Sequence, residues 1–479
     1  VTLTRELTPQ LSQPFALAGE DRNRLHARLE LAVQRARRSG QPTLATLTVA
    51  LAPEVDPSAV VCASRRAGEP WFLFEQPERK QVALAALGQA TQLLAHGPQR
   101  FATVADRWRA LAAAAVGDGP LAVGGFAFAH DGGGAPQWSD FQPASLVVPE
   151  VALTREQRRD ERHVCMTLSA LAAPDDVPDE LLARLLARVA ELRLRPLPML
   201  DPAPAGRCRV VSAMPPEHYE GAVARAVQQI RGGELQKVVL AREVQVHAPV
   251  AHDPAAVYGV LRAEFPACFV FCVGAGESAF IGASPELLVR REGHRVSTLA
   301  LAGSTRRSAD PAVDDHLGEQ LLRSEKNREE QAIVIHRITR TLARHSLWVT
   351  ATPEPVLVRV ANIQHLGSPI RAQLAQPLDA IELLALMHPT PAVGGEPLAV
   401  ARPLIPALEG MDRGWYTGPI GWTDATGDGE FCVALRCALL RGHVASCYAG
   451  VGVVRDSDPA AELAETEMKL AALLPLLSG

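Results

Sequence analysis

Three things are missing from this 479-residue chain. No uninterrupted apolar run reaches the roughly 20 residues that a helix needs to span a bilayer. No surplus of basic charge exists: 48 Lys and Arg stand against 53 Asp and Glu, a formal net charge of -5, which removes the electrostatic footprint of a nucleic-acid binder. The opening VTLTRELTPQ has no initiator Met and lacks the charged-then-apolar pattern of a secretory signal. The expectation is a soluble cytoplasmic protein with neither nucleic-acid nor membrane partners.

Common catalytic signatures are absent too. There is no GxSxG and no HExxH, which weakens a serine-hydrolase or zincin reading. DATGDGEF, from Asp424, opens like an EF-hand loop, but its twelfth position would be Leu435, where calcium needs a bidentate Glu. It reads as a turn between strands. DGGG at Asp131–Gly134 and VGAGESAFIG match neither a P-loop nor a full dinucleotide fingerprint. Of the cysteines, Cys268 and Cys272 share one side of the strand-like PACFVFCVG, yet no nearby Cys or His pair completes a zinc set. They read as reduced, mostly buried thiols. No internal repeat or low-complexity tract is present.

What is there is ordinary globular composition, 47% hydrophobic and 21% charged. Residues 1–205 and 206–479 differ in texture, and LRPLPMLDPAPAGR at 194–207 is the most linker-like stretch. The first part carries a basic amphipathic helix, DRNRLHARLELAVQRARRS, strand-like runs such as TLATLTVAL and PWFLFEQ, and a helical DELLARLLARVAELRL. The second part is dense in strands separated by Gly or charged turns, among them KVVLAREVQVHA, AFIGAS and EFCVALRCALL. Helical runs interleave, including 312–345 read as one run, and a terminal PAAELAETEMKLAALLPLL. Short turns between neighbouring strands favour antiparallel pairing.

Charged residues stand where burial is expected. Lys237 directly precedes the apolar VVLA; it is either a solvated strand-start lysine or a desolvated one able to act as a base. Glu286, after a Ser-Pro turn and before LLVRR, is either an exposed turn carboxylate or a carboxyl of raised pKa able to donate a proton. Glu330 borders the helical stripe of Ile333, Val334 and Ile338, while Glu325 and Glu329 point further round. Glu462, Glu465 and Lys469 lie at i, i+3, i+7 on one helix face. The Glu465–Lys469 spacing is that of a solvated pair worth roughly 0.2–0.5 kcal/mol, or of a hard-cation site beside a lysine for an anionic substrate. Spacing alone leaves both readings open.

From about residue 235 to 470 the chain resembles the chorismate-utilising enzymes, and within them the isochorismate synthases. The stretches that carry the resemblance are KVVLAR, GASPELLVRR, LALAGSTRR, SEKNREEQ, QHLGSPIRAQL, HPTPAVGGEP, RGWYTGPIGW, DGEFCVALRCALL, YAGVGVVRDSDP and ETEMKL. The first half matches loosely, chiefly through GGFAFAHDG. The resemblance implies an α/β (α+β) fold in which large antiparallel sheets pack as a sandwich with helices outside. Residues 1–205 would complete that sandwich and 206–479 would form the catalytic region, as one integrated unit. It implies a magnesium-dependent, reversible exchange of the chorismate hydroxyl from C4 to C2 with water as nucleophile, feeding menaquinone, siderophore or salicylate biosynthesis. It assigns Lys237 as general base and Glu286 as general acid. Glu330 and Glu465 become Mg²⁺ carboxylates, with Glu462 holding a metal-bound water. Arg436, Lys469 and the Gly450 backbone bind substrate carboxylates, and Gly303, His365 and Ala392 line the site. The family is often monomeric, and the sequence itself does not give the oligomeric state.

Within the family, sister enzymes differ at readable positions. Aminodeoxychorismate synthases usually carry a nucleophilic lysine where this chain has Ala302, and anthranilate synthases usually lack the lysine at 237. Water rather than ammonia is therefore the expected nucleophile, and no glutamine amidotransferase partner is expected. Salicylate synthases, the alternative, tend to place a Thr at Ala392; a non-catalytic binding protein of the same fold is a further alternative, against which all the named residues stand. Two departures bear on magnesium affinity: Gln331, where many members have His, and Glu467, a third carboxylate on the terminal helix.

Overall fold

Apolar alternation and helical stripes translate directly into most of the elements. The computed structural model describes residues 14–79, 81–159, 161–201 and 206–479. The opening VTLTRELTPQ and positions 202–205 of the Pro-rich stretch lie outside them. TLATLTVAL becomes the strand Thr43–Leu51. The first helix, Gly19–Ser39, buries Leu25, Leu29, Ala32, Val33 and Ala36 on one face, has Glu20 and Asp21 in its first turn and Arg37 and Arg38 in its last, and ends at Gly40 in the left-handed conformation.

One expectation is corrected. The run 312–345 is two helices, Pro311–Arg323 and Glu325–Ala343. Ser324 is extended; it ends the first helix and caps the second, its side chain accepting from the Asn327 N–H. The terminal run likewise breaks after Pro459–Leu470, and a short Leu474–Ser478 follows.

Two large sheets dominate. In the first, neighbouring strands run Arg209–Ser212, Lys237–His247, Val444–Val453, Cys437–Arg441, Ser278–Ser284, Phe269–Gly276, Gly68–Gln76, Val82–Leu87, Val151–Arg158, Glu161–Ala172, Thr43–Leu51 and Val116–Gly117, with Gly395–Glu396 also paired to Lys237–His247. In the second they run Ser346–Ala351, Ile363–Leu374, Arg295–Arg306, Leu287–Glu292, Gly429–Val433, Pro419–Asp424, Leu121–Phe126, Ala144–Val148 and Thr91–Ala95, with Val356–Arg359 on Ile363–Leu374. Both sheets thus take strands from either side of residue 205. Among the described residues every pairing is antiparallel except Thr43–Leu51 with Val116–Gly117.

The facing surfaces of the sheets share one aromatic-rich core. Phe72, Phe74, Phe271 and Phe280 come from the first sheet, Ile420 and Cys432 from the second, with Trp138 and Trp415 between. Outer faces are covered by helices. Gly19–Ser39, Pro178–Ala190 and Pro254–Glu264 pack on the first sheet, and Arg100–Ala114, Glu325–Ala343 and Ala380–Met387 on the second. The architecture is the expected sandwich with helices outside.

Two chain segments step from one sheet to the other side by side. Pro285 and Glu286 join Ser278–Ser284 to Leu287–Glu292; Ala434, Leu435 and Arg436 join Gly429–Val433 to Cys437–Arg441. The steps are stitched together by Val433 N–H to Glu286 O, 3.1 Å, and Ala283 N–H to Arg436 O, 3.1 Å. Strands of both sheets end here, so a polar group at the step is enclosed by both layers.

Candidate active site

Glu286 and Arg436 sit on those steps. Glu286 is 3% exposed, and its N–H donates to Ser284 Oγ. Burial raises its carboxyl to about 8, against the opposing pull of Lys237 and Arg436. At neutral pH it is therefore mostly protonated and able to donate. Arg436 adopts a left-handed backbone, φ 46°, and burial lowers its pKa. Its Nη2 donates to His365 Nε2 at 3.0 Å. Arginine can only donate, so Nε2 accepts and the His365 proton sits on Nδ1, which donates to Gly303 O at 3.1 Å. His365 is held neutral, its pKa driven well down by burial and by the charges of Arg436 and Lys469.

Gly303 is where the second sheet bends to admit this arrangement. The register between Arg295–Arg306 and Ile363–Leu374 shifts between Ala302 and Ser304, a bulge at a glycine of φ +68° whose Cβ would meet Asn327 Oδ1 at 2.9 Å. The bulge aims Ser304 Oγ at Glu465 Oε1, 2.6 Å.

Three lysine–glutamate pairs close the other wall. Lys237, fully buried at the start of its strand, places Nζ 2.8 Å from Glu330 Oε1. Lys469 Nζ lies 2.8 Å from Glu465 Oε1 and donates to Gly450 O at 2.9 Å. Lys326 Nζ lies 2.7 Å from Glu462 Oε1. Burial works to raise the Glu465 carboxyl, but Lys469 and the Ser304 hydroxyl hold it below its ordinary value. Glu462 is raised, burial outweighing its hydrogen bonds to Lys326 and Ser457. For Lys326 burial acts downward, and the hydrogen bond to Glu462 with the fields of Glu462, Glu465 and Glu330 carries its pKa up. One ammonium is thus drawn by all three carboxylates assigned to a cation.

These carboxylates come from two helices, Glu325–Ala343 and Pro459–Leu470. Hard oxygen donors of this kind suit Mg²⁺, although among the described residues no three Asp, Glu, His or Cys side chains are gathered at coordinating spacing. Each carboxylate holds a lysine instead. Glu467 does not belong to the set: it is exposed on the outer side of its helix, 3.9 Å from Arg242. Gln331 is buried and donates to Ala300 O and Ser368 Oγ, so it ties its helix to the second sheet.

A small cavity, ≈ 60 Å³, lies between these walls, and Glu286, Gly303, Glu330, His365, Arg436 and Glu465 line it together with Ala392, Gly450 and Lys469. Lys237, Glu462 and Lys326 are not among its lining residues. Three contributors escaped the reading of the sequence: Ser304, Lys326 and Gly452. Lys326 stands at i−4 from Glu330, and that spacing could have revealed it. Gly452 has no such signal. It lies opposite Val239, on the strand beside Lys237, and a Cβ there would fall 2.2 Å from Glu330 Oε1 and 2.8 Å from Lys237 Cε. The Lys237–Glu330 pair exists because position 452 has no side chain.

A protein-family model described as "Chorismate binding enzyme" matches residues 31–478. The chain is 39% identical over 460 residues to the "Salicylate biosynthesis isochorismate synthase" of Pseudomonas aeruginosa, covering 95% of this chain and 94% of that relative. It is 31% identical over 423 residues to "Isochorismate synthase MenF" of Bacillus subtilis, covering 85% and 88%. Among solved structures it is similar to MenF, the menaquinone-specific isochorismate synthase from Escherichia coli, with a TM-score of 0.76, 27% identity, and coverage of 94% of this chain and 99% of that one.

The steric account of position 452 has a measurable consequence. Gly452→Ala is expected to fold but to lose about 1–3 kcal/mol, the usual cost of overpacking, seen as a lower melting temperature. A melting temperature equal to wild type would show that the Lys237–Glu330 pair does not need the glycine.

Proposed function

The chain belongs to the chorismate-binding enzymes, and from that membership we propose that it is an isochorismate synthase, an isomerase that moves the chorismate hydroxyl from C4 to C2. The observation that carries the reading is the buried Glu286, its carboxyl raised by burial, facing the same cavity as Arg436, Lys469 and the carboxylates of two helices. Chorismate is a dianion, and Arg436 and Lys469 supply cations for its carboxylates where water is excluded. A water proton passes to Lys237 as the water oxygen bonds to C2; Glu286 gives its proton to the C4 oxygen, which leaves as water. Atoms balance, and the two protein groups end with one proton exchanged. Lys237 must be a free amine when it accepts, so its contact with Glu330 has to loosen first. The ≈ 60 Å³ cavity is far below the roughly 300–1,000 Å³ of a small-molecule site, so the walls must also part to admit the substrate.

Magnesium is part of the proposal. Glu330 and Glu465 would hold it, with Glu462 behind through a water, and when bound it supplies positive charge against a substrate carboxylate. Lys326 now answers the same carboxylates, so it is a tethered competitor for the cation. A salicylate synthase is the less favoured reading: Ala392 stands where those enzymes tend to have Thr, and the Pseudomonas aeruginosa relative is itself named an isochorismate synthase. The proposed compartment is the cytoplasm, and among the described residues no helix is long and apolar enough to cross a membrane.

Incubation with chorismate and Mg²⁺ followed by chromatography is expected to give isochorismate at a fixed ratio to chorismate without pyruvate; stoichiometric pyruvate, or no reaction, would overturn the reading. Lys237→Ala and Glu286→Gln should each cost roughly 10²–10⁴-fold in kcat with chorismate binding retained, and near wild-type turnover in either removes that residue from its role. Because Glu286 must be protonated, kcat/KM should fall above about pH 8; a profile without that fall through pH 9.5 contradicts the assignment. Lys326→Met should bind Mg²⁺ several-fold more tightly by calorimetry, whereas unchanged or weaker binding would show that Lys326 does not compete.

A further inference from the structure

A second cavity, of ≈ 700 Å³, lies on the other side of the segment 388–395. His388 and Pro389 line it, whereas Ala392 and Val393 line the small cavity of the candidate active site. Its walls are the helices Arg100–Ala114 and Leu398–Glu409 and the turn that follows Phe128. The volume is that of a small-molecule site, in the general range of about 300–1,000 Å³.

Its lining carries three arginines and three acids, yet two of the arginines lack an ion-pair partner among the described residues. Arg100 is 5% exposed, and among the described residues no carboxylate reaches it at ion-pair distance. Its Nη2 donates to Ala127 O at 3.0 Å, its guanidinium lies 4.6 Å from the centre of the Phe101 ring, and its Nε has no partner. Arg402 stands exposed on the facing helix without an ion pair or hydrogen bond among the described residues, and its field adds to burial in lowering Arg100 to about 10. The acids nearby are otherwise engaged. Glu409 is bound by Arg413, Asp412 accepts from the N–H groups of Gly133, Ala135 and Gly414, and Asp131, exposed beside His130, offsets Arg100 only from a distance.

Two guanidiniums, one of them desolvated, therefore face a roomy space whose apolar wall includes Phe101, stacked on Phe126, and Phe128, covered by the Arg413 guanidinium. A buried guanidinium without a counter-ion is costly to keep, and two guanidiniums beside an apolar wall suit a carboxylate carried on a flat apolar body. His388 adds an acceptor. Its Nε2 lies 3.0 Å from Phe128 O, so the ring, which is neutral because burial and Arg100 depress it to about 3, carries its proton there and leaves Nδ1 bare and unpartnered.

We propose that this cavity is a second ligand site, distinct from the candidate active site, for a small arenecarboxylate held between Arg100 and Arg402. It does not depend on the chorismate reading. The test is calorimetric titration of the full chain with 2-hydroxybenzoate, with benzamide as a neutral ring of similar shape. Expected are saturable binding of one 2-hydroxybenzoate per chain, no binding of benzamide, and about tenfold weaker binding in Arg402→Ala, an exposed substitution that leaves melting temperature and chorismate turnover unchanged. Arg100→Met, if it folds, should act in the same direction. No binding of 2-hydroxybenzoate, equal binding of benzamide, or unchanged affinity in Arg402→Ala would each overturn the proposal; the last would place the ligand in the candidate active site instead.

Discussion

Desolvation of one carboxyl, Glu286, at the place where two strands step between sheets is the constraint on which the rest of the site depends. A turn carboxylate in water is ionised and cannot protonate a leaving hydroxyl near neutral pH. Here the step is enclosed by both sheets, the neighbouring step carries Arg436, and the carboxyl is lifted to about 8 even though two cations act to lower it. The same enclosure strips water from Arg436 and His365, which settle into a fixed donor–acceptor chain ending at Gly303. An acid, a cation and a neutral imidazole are thus organised by a single feature of sheet topology.

The opposite wall works by compensation. Three carboxylates and three lysines come together at 2.7–2.8 Å, so no buried charge is left alone, in keeping with the rule that burial of ions demands partners. The arrangement is self-neutralising and tight, and the cavity it leaves is small. Opening it for an anionic substrate means exchanging lysine partners rather than creating new charges. Chemistry of the hydroxyl-transfer kind needs such a wall because it handles an anionic substrate and hydroxide-like species without bulk water.

Much of this was legible in the sequence, for physical reasons that differ by residue. The strand Thr43–Leu51 and the helix Gly19–Ser39 follow from periodicity alone. Lys237 and Glu286 stood out because charges interrupted apolar runs, yet the pattern could not decide between solvated and buried, since that depends on strands far away in the chain. The break at Ser324 was missed because helical periodicity carries across a capping serine, and its two helices were read as one. Glu467 was read as a further carboxylate on the terminal helix, and the helix turns it outward to Arg242. Gly452 was invisible: its role is the absence of atoms, set by a cross-strand register that only the folded sheet defines. The family resemblance supplied roles that spacing left open.

The account's central claim is most directly tested by observing the Glu286 carboxyl itself. Difference infrared spectroscopy of the wild type against Glu286→Gln, with ¹³C-labelled glutamate, should show a protonated carboxyl stretch at pH 6.5 that disappears with a midpoint near 8. A carboxylate band already present at pH 6.5 would mean that burial at the sheet-to-sheet step does not hold the proton, and the assignment of Glu286 as the acid would fail with it.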